Sequence, residues 1–301
     1  MAWWIGVTLA AALFQTWRTA LQQKLRAALT ANAAGFVRYL YGVPVGVVFL
    51  LVALFVTGNG LPHPGLRFFA ASATAGVLQI FGTVLLIMAF GHRNFVVGTA
   101  YAKTEALQLA LIVWIVLGRS LHPLAWVGLG IGVAGVLSLS FAGRGMRLRE
   151  VLAASVQPAA LCGLGAGLAF ALTAIFIKAA TQALPSGNLV LKALFTLVVT
   201  NVIQTLIQGS WLGWHDPSQF RAAFTTWRRS AWVGLTSACG SACWFTAFTL
   251  APVVLVRAVG QVEVVFTLVF SRFYLKERLQ RTDVAGLILV IAGVLLVIAG
   301  G

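Results

Sequence analysis

The sequence predicts an all-helical (all-α) integral membrane protein of ten transmembrane helices, arranged as two inverted five-helix repeats. Three observations carry that expectation: a composition too poor in charge for a soluble domain, ten apolar runs of spanning length, and a self-similarity at an offset of 158 residues.

Of the 301 residues, 60% are hydrophobic and only 9% charged, and the mean hydropathy is +0.96. A soluble domain carries about 25% charged residues. The net charge of +15 invites a nucleic-acid reading. We reject it and expect no nucleic-acid partner, because the basic residues cluster in short connections between apolar runs, as membrane topology requires. The N-terminal MAWWIGVTLAAALFQTWR lacks a basic leader and a small-residue cleavage pattern, so it reads as the first span. Cys162, Cys239 and Cys243 lie in apolar runs, without histidine or acid nearby to complete a metal site. They read as packing residues, and neither a metal nor a cofactor is expected.

About 20 apolar residues cross a bilayer core. Ten such runs occur, at about 2–20, 33–56, 68–90, 95–117, 124–142, 159–180, 189–208, 231–250, 252–274 and 284–300. The longest connection, 209–230, holds Trp211, Trp214 and Trp227, which suit the headgroup level. Pro44, between Gly42 and Gly46, is expected to bend span 2. Fourteen basic residues fall on one side: Arg18, Lys24, Arg26, Arg93, Arg144, Arg147, Arg149, Arg221, Arg228, Arg229, Arg272, Lys276, Arg278 and Arg281. Four fall on the other: Arg67, Arg119, Lys178 and Lys192. That bias places both termini outside the cytoplasm.

Shifted by 158, Gly76 meets Gly234, Gly82 meets Gly240, Ala89-Phe90 meets Ala247-Phe248, and Gly128 meets Gly286. Ala134-Gly135-Val136-Leu137 meets Ala292-Gly293-Val294-Leu295. Each half then holds five spans, 1–143 and 159–301, joined by a connection at 144–158. Five is odd, so the second half enters from the opposite face, as in secondary transporters whose substrate sits near the midplane.

The same offset aligns Glu105 with Glu263. Both lie near the centre of a span, where a charge costs about 2.5–3.5 kcal/mol on insertion scales. Lipid is therefore excluded as their environment, and the bundle interior is expected. Each could carry protons, bind a substrate amine, or close a structural ion pair. On an unbroken helix Lys103 and Glu105 stand about 200° apart, so Lys103 needs a partner elsewhere. Arg257 and Glu263, about 240° apart, also diverge, and Arg257 is near enough to its span's start to snorkel. The set is neutral, which suits a zwitterionic or small polar solute. Tyr101, Gln108, Trp114, Gln261, Trp244, Phe245, Gln79, Gln15 and Trp17 are further candidates to line a cavity. A Gln in a dry span is the more informative among these, since its amide needs partners.

One pattern is dismissed. GIGVAG at 130–135 matches a dinucleotide fingerprint but lies inside an apolar span. The pairs Gly128/Gly132 and Gly163/Gly167 read instead as close helix contacts. There is no HExxH, GxSxG or P-loop, so neither an enzyme nor an ATP-driven pump is expected.

The second half, APVVLVRAVGQVEVVFTLVFSRFYLKERLQRTDVAGLILVIAGVLLV, resembles the EamA-type repeat of the drug/metabolite transporter superfamily. The matching features are Pro252, Glu263, the LKERL at 275–279 and the AGLILVIAGVLLV of span 10. The first half is a weaker copy. It has LGRSL at 117–121, and Arg119 stands where the family usually has an acid. Arg38 stands where the family often has an arginine. The resemblance implies a multi-pass inner-membrane permease working by alternating access, with spans 1, 3, 4, 6, 8 and 9 lining its cavity. Its partners would be a small-molecule substrate, protons and the lipid bilayer, and a homo-oligomer stays open. The expected activity is export of a small metabolite such as an amino acid. The alternative is a flippase for a lipid-linked substrate, or a non-transporting subunit of a membrane complex. Family members usually keep both termini in the cytoplasm, opposite to what the loop charges indicate here.

Overall fold

The structure, a computed structural model, describes residues 3–91, 101–141, 157–185, 187–270 and 281–300. Among these, every regular element is a helix. Calls on Arg93, Arg144, Arg147, Arg149, Arg272, Lys276 and Arg278, and on the whole of LKERL at 275–279, lie outside the described residues. In chain order the helices are α1 Trp3–Leu25, α2 Ala31–Leu40, α3 Gly42–Thr57, α4 Leu66–Gly91, α5 Glu105–Ile115, α6 Pro123–Phe141, α7 Pro158–Ala183, α8 Leu189–His215, α9 Pro217–Thr225, α10 Trp227–Leu250, α11 Val253–Gly260, α12 Glu263–Phe270 and α13 Arg281–Ala299. Among the described residues, five helical segments are long and apolar enough to cross a membrane: Ala31–Thr57, Leu66–Leu86, Pro158–Ala183, Leu189–His215 and Trp227–Leu250. Shorter apolar helices occupy Glu105–Ile115, Pro123–Leu139 and Val284–Ala299.

Three expectations change. Span 2 is interrupted at Tyr41, ahead of Pro44 rather than at it. Pro44 has no N–H for the carbonyl of Leu40 and its ring crowds that carbonyl, so the discontinuity falls one turn upstream. Span 7 does not end at residue 208. α8 continues to His215, so Trp211 and Trp214 ride its last turns, and the supposed loop contains α9. Asp216 caps α9, its carboxylate accepting from the Gln219 N–H at 3.2 Å. Spans 4 and 9, taken from sequence as unbroken, are both interrupted, as described below.

The helices form two compact units, Met1–Ile80 with Thr173–Val253 and Phe81–Leu172 with Val254–Gly301, so each unit draws on both halves of the sequence. In the first unit α1 packs on α10, and α8 packs on α2, α3 and α10. Its core gathers Leu25, Leu29, Phe36, Val37, Leu212 and Val233. Close approach is enforced by glycine: a Cβ on Gly209 would stand 2.8 Å from Phe36 Cε2. Amides on α8 staple neighbours, Gln204 Nε2 donating to Gln79 Oε1 (2.7 Å) and Gln208 Nε2 to the Asn32 carbonyl (3.2 Å).

In the second unit α6 and α13 pack along a glycine seam. A Cβ on Gly128 would meet the Gly293 carbonyl and Val297 N at 2.7 Å, and one on Gly135 would meet Val290 N at 2.7 Å. Gly128, Gly132 and Gly135 thus form a backbone-to-backbone contact surface with α13, as the spacing of Gly128 and Gly132 implied.

Candidate ion-pair site at two helix breaks

Spans 4 and 9 each break at the residues that the 158-residue offset makes equivalent. In span 4 residues 101–102 are helical, Lys103 and Thr104 form a turn, and α5 begins at Glu105. In span 9 α11 ends at Gly260, Gln261 and Val262 form the turn, and α12 begins at Glu263. Both turns tighten rather than unravel. Thr104 N bonds the Tyr101 carbonyl (3.1 Å), Gln261 N that of Ala258 (3.2 Å), and Val262 N that of Val259 (3.1 Å). Such i→i+3 stretches inside a helix mark a hinge or a functional position.

The break sets the charges. Glu105 and Glu263 occupy the first turns of α5 and α12, where the helix dipole favours an anion. Arg257 occupies the last turn of α11, where it favours a cation. Lys103 and Arg257 do not meet the glutamates of their own spans, as the angular separations implied, and the charges cross-pair. Lys103 Nζ donates to Glu263 Oε2 at 2.8 Å. Arg257 Nε lies 2.8 Å from Glu105 Oε1. Arg257 does not snorkel: its side chain is 14% exposed and faces Glu105, itself 16% exposed. Lys103, at 30%, is the most open of the four. Each pair joins one residue from the first half of the chain to one from the second, and the set is neutral.

Around this quartet, Gln108 Nε2 donates to Thr104 Oγ1 (2.9 Å) and to the Leu164 carbonyl (3.3 Å), tying α5 to α7. Thr104 Oγ1 donates to the Tyr101 carbonyl at 2.6 Å. Gln261 is buried, with its Oε1 packed over Gly132, and its Nε2 finds no acceptor among the described residues. Gly167 gives room for the break, since a Cβ there would meet the Ala102 carbonyl at 3.0 Å.

The remaining candidates other than Trp114 lie in the first unit. Trp244 Nε1 donates to Gln15 Oε1 at 2.9 Å, and its ring stacks on Phe248. Gln79 accepts from Gln204. Arg38 is buried, its Nε donating to Ser237 Oγ at 2.9 Å and its guanidinium over the Tyr39 ring. Trp17 on α1 is half-exposed. Trp114 is also half-exposed, and meets Trp126 edge-on.

Sequence reasoning missed Ser237, Gln204 and Gln208. The two glutamines were findable by the argument already applied to Gln79, since both lie in an apolar span. It also placed Lys178 among the outer loops. Lys178 instead stands in α7, its Nζ donating to the carbonyl of Ala251 (2.9 Å) beyond the end of α10.

Twenty-eight chains of solved structures are similar to this one. One, described only as a crystal structure of a protein, aligns over 97% of this chain and 96% of its own, with a TM-score of 0.69 at 14% identity; that likeness shows the fold alone. No curated protein sequence matches. Residues 157–299 match the EamA-like transporter family. Over residues 157–299, then, this multi-pass membrane chain is a repeat of the EamA-like transporter family, within the drug/metabolite transporter superfamily.

Proposed function

We propose that the chain is a secondary-active carrier of a small metabolite, such as an amino acid or related compound, moved outward across the inner membrane by alternating access. One observation carries the reading. At two equivalent helix breaks, two acids and two bases cross-pair, and each pair joins one half of the sequence to the other. A structural ion pair in a bundle needs neither the breaks nor the two-fold equivalence.

The chemistry follows from the pairing. A mid-span carboxylate keeps its charge only while a cation is beside it. Protonation of Glu263 releases Lys103, and a substrate ammonium at Glu263 releases it equally well. The freed ammonium of Lys103 then needs an anion, which the carboxylate of a zwitterion supplies. A zwitterion thus exchanges both partners of a pair without leaving a charge unmatched. The Lys103–Glu263 pair is the one to open first, because Lys103 is the most accessible member.

The test compares metabolites inside and outside cells that express the wild type, the Glu105→Gln, Glu263→Gln double variant, or nothing. The expected result is a small set of solutes displaced outward by the wild type and not by the double variant. A wild type indistinguishable from empty cells overturns the carrier reading. Equal export by both proteins overturns the role of the carboxylates.

A further inference from the structure

Among the described residues, the first compact unit holds a buried cation with no counter-ion. Residues 1–80 and 173–253 contain a single acid, Asp216, and its carboxylate is used in capping α9 and accepting from Ser218 Oγ. Arg38 sits in the last turn of α2, within the apolar segment Ala31–Thr57, and is 8% exposed. Its contacts among the described residues are the Ser237 hydroxyl and the ring of Tyr39. Neither carries a negative charge. The other lysines of this unit's spans are treated differently: Lys178 Nζ donates to the Ala251 carbonyl (2.9 Å) and Lys192 Nζ to that of Leu184 (3.0 Å). For Arg38 the nearby end of α2 offsets only part of the charge.

We infer that Arg38 and Ser237 form a binding site for an oxyanion, a carboxylate or phosphate group. The geometry selects that chemistry. Nε is occupied by Ser237, so the guanidinium keeps its two terminal nitrogens, which present parallel N–H groups to two oxygens of one planar or tetrahedral anion. Ser237 accepts from Arg38 through its oxygen, which leaves its own proton to donate. Ser241, one turn further along α10, adds a second hydroxyl on the same helix face. As a statement about cargo this rests on the carrier reading, and means that the transported solute bears such a group. As a statement about binding it stands without transport.

The experiment uses the purified full chain in neutral detergent and follows its unfolding midpoint. Acetate or inorganic phosphate is titrated against chloride at equal ionic strength, since a ligand bound only by the folded state raises the midpoint. The wild type should rise saturably beyond the chloride control. Arg38→Gln should weaken the apparent affinity at least about tenfold, and Arg38→Lys should retain part of it. If Arg38→Gln does not fold, Ser237→Ala keeps the cation and should weaken binding severalfold. Binding is read here without transport, so a wild type that fails to export but still shows the Arg38-dependent rise leaves this site standing. Nanodiscs of phosphatidylcholine with or without phosphatidylglycerol separate the sources: an Arg38-dependent rise with phosphatidylglycerol alone assigns the oxyanion to a lipid headgroup. No rise beyond chloride in the wild type, or an equal rise in Arg38→Gln, overturns the inference.

Discussion

Lys103 Nζ donates to Glu263 Oε2 over 2.8 Å, across 160 residues of sequence, and joins the turn of one broken span to the first turn of another helix. If that contact is electrostatic rather than steric, charge reversal should be tolerated. Lys103→Glu alone and Glu263→Lys alone should each lower folded yield and thermal stability. The double swap should recover most of the loss, with a coupling of about 0.5–3 kcal/mol in a double-mutant cycle. An additive cycle would show that the pair does not hold the breaks together.

The second pair should be the costlier to break. Arg257 and Glu105 are 14% and 16% exposed, against 30% for Lys103. Removing one partner of a buried pair costs about 3–5 kcal/mol, and solvent access reduces it. Arg257→Gln should therefore destabilise more than Lys103→Gln, read as a larger fall in melting temperature at matched lipid and detergent.

Proton coupling, if Glu263 provides it, should be separable from movement of the solute. In vesicles, Glu263→Gln should still exchange solute for solute, at a raised KM because the ammonium loses its carboxylate, but no longer concentrate it under a pH gradient. Uphill transport by Glu263→Gln equal to that of the wild type would assign the coupling elsewhere.

The seam between α6 and α13 should tolerate no side chain. A Cβ on Gly293 would stand 2.6 Å from the Gly128 carbonyl. Gly293→Val should cost about 1–3 kcal/mol through overpacking. Gly130 has nothing within 4 Å of its would-be Cβ, so Gly130→Ala should be neutral or stabilising. Thermal unfolding of the two variants side by side checks both.

Lys178 should hold the end of α10. Lys178→Met keeps the apolar stem and removes the donor to the Ala251 carbonyl. We expect a loss of about 0.5–1.5 kcal/mol, together with faster amide exchange at residues 249–251.

The sequence by itself determined the membrane class, most of the apolar segments, the equivalence of Glu105 and Glu263, and the glycine contact surface. Each depends on composition or on spacing along the chain, and both survive any choice of packing. Only the tertiary structure decided which charge meets which. The helical angles predicted that Lys103 and Arg257 diverge from their own glutamates, and each indeed pairs with the glutamate of the other span; the angles did not say which partner it would be. Spans 4 and 9 both break beside these charges, which nothing in their spacing along the chain required. No proline marks the turn at Lys103 and Thr104, so nothing local announces it. Arg38 and Ser237 meet over 199 residues for the same reason: the contact is made by how α2 lies on α10, and the sequence around neither residue contains it.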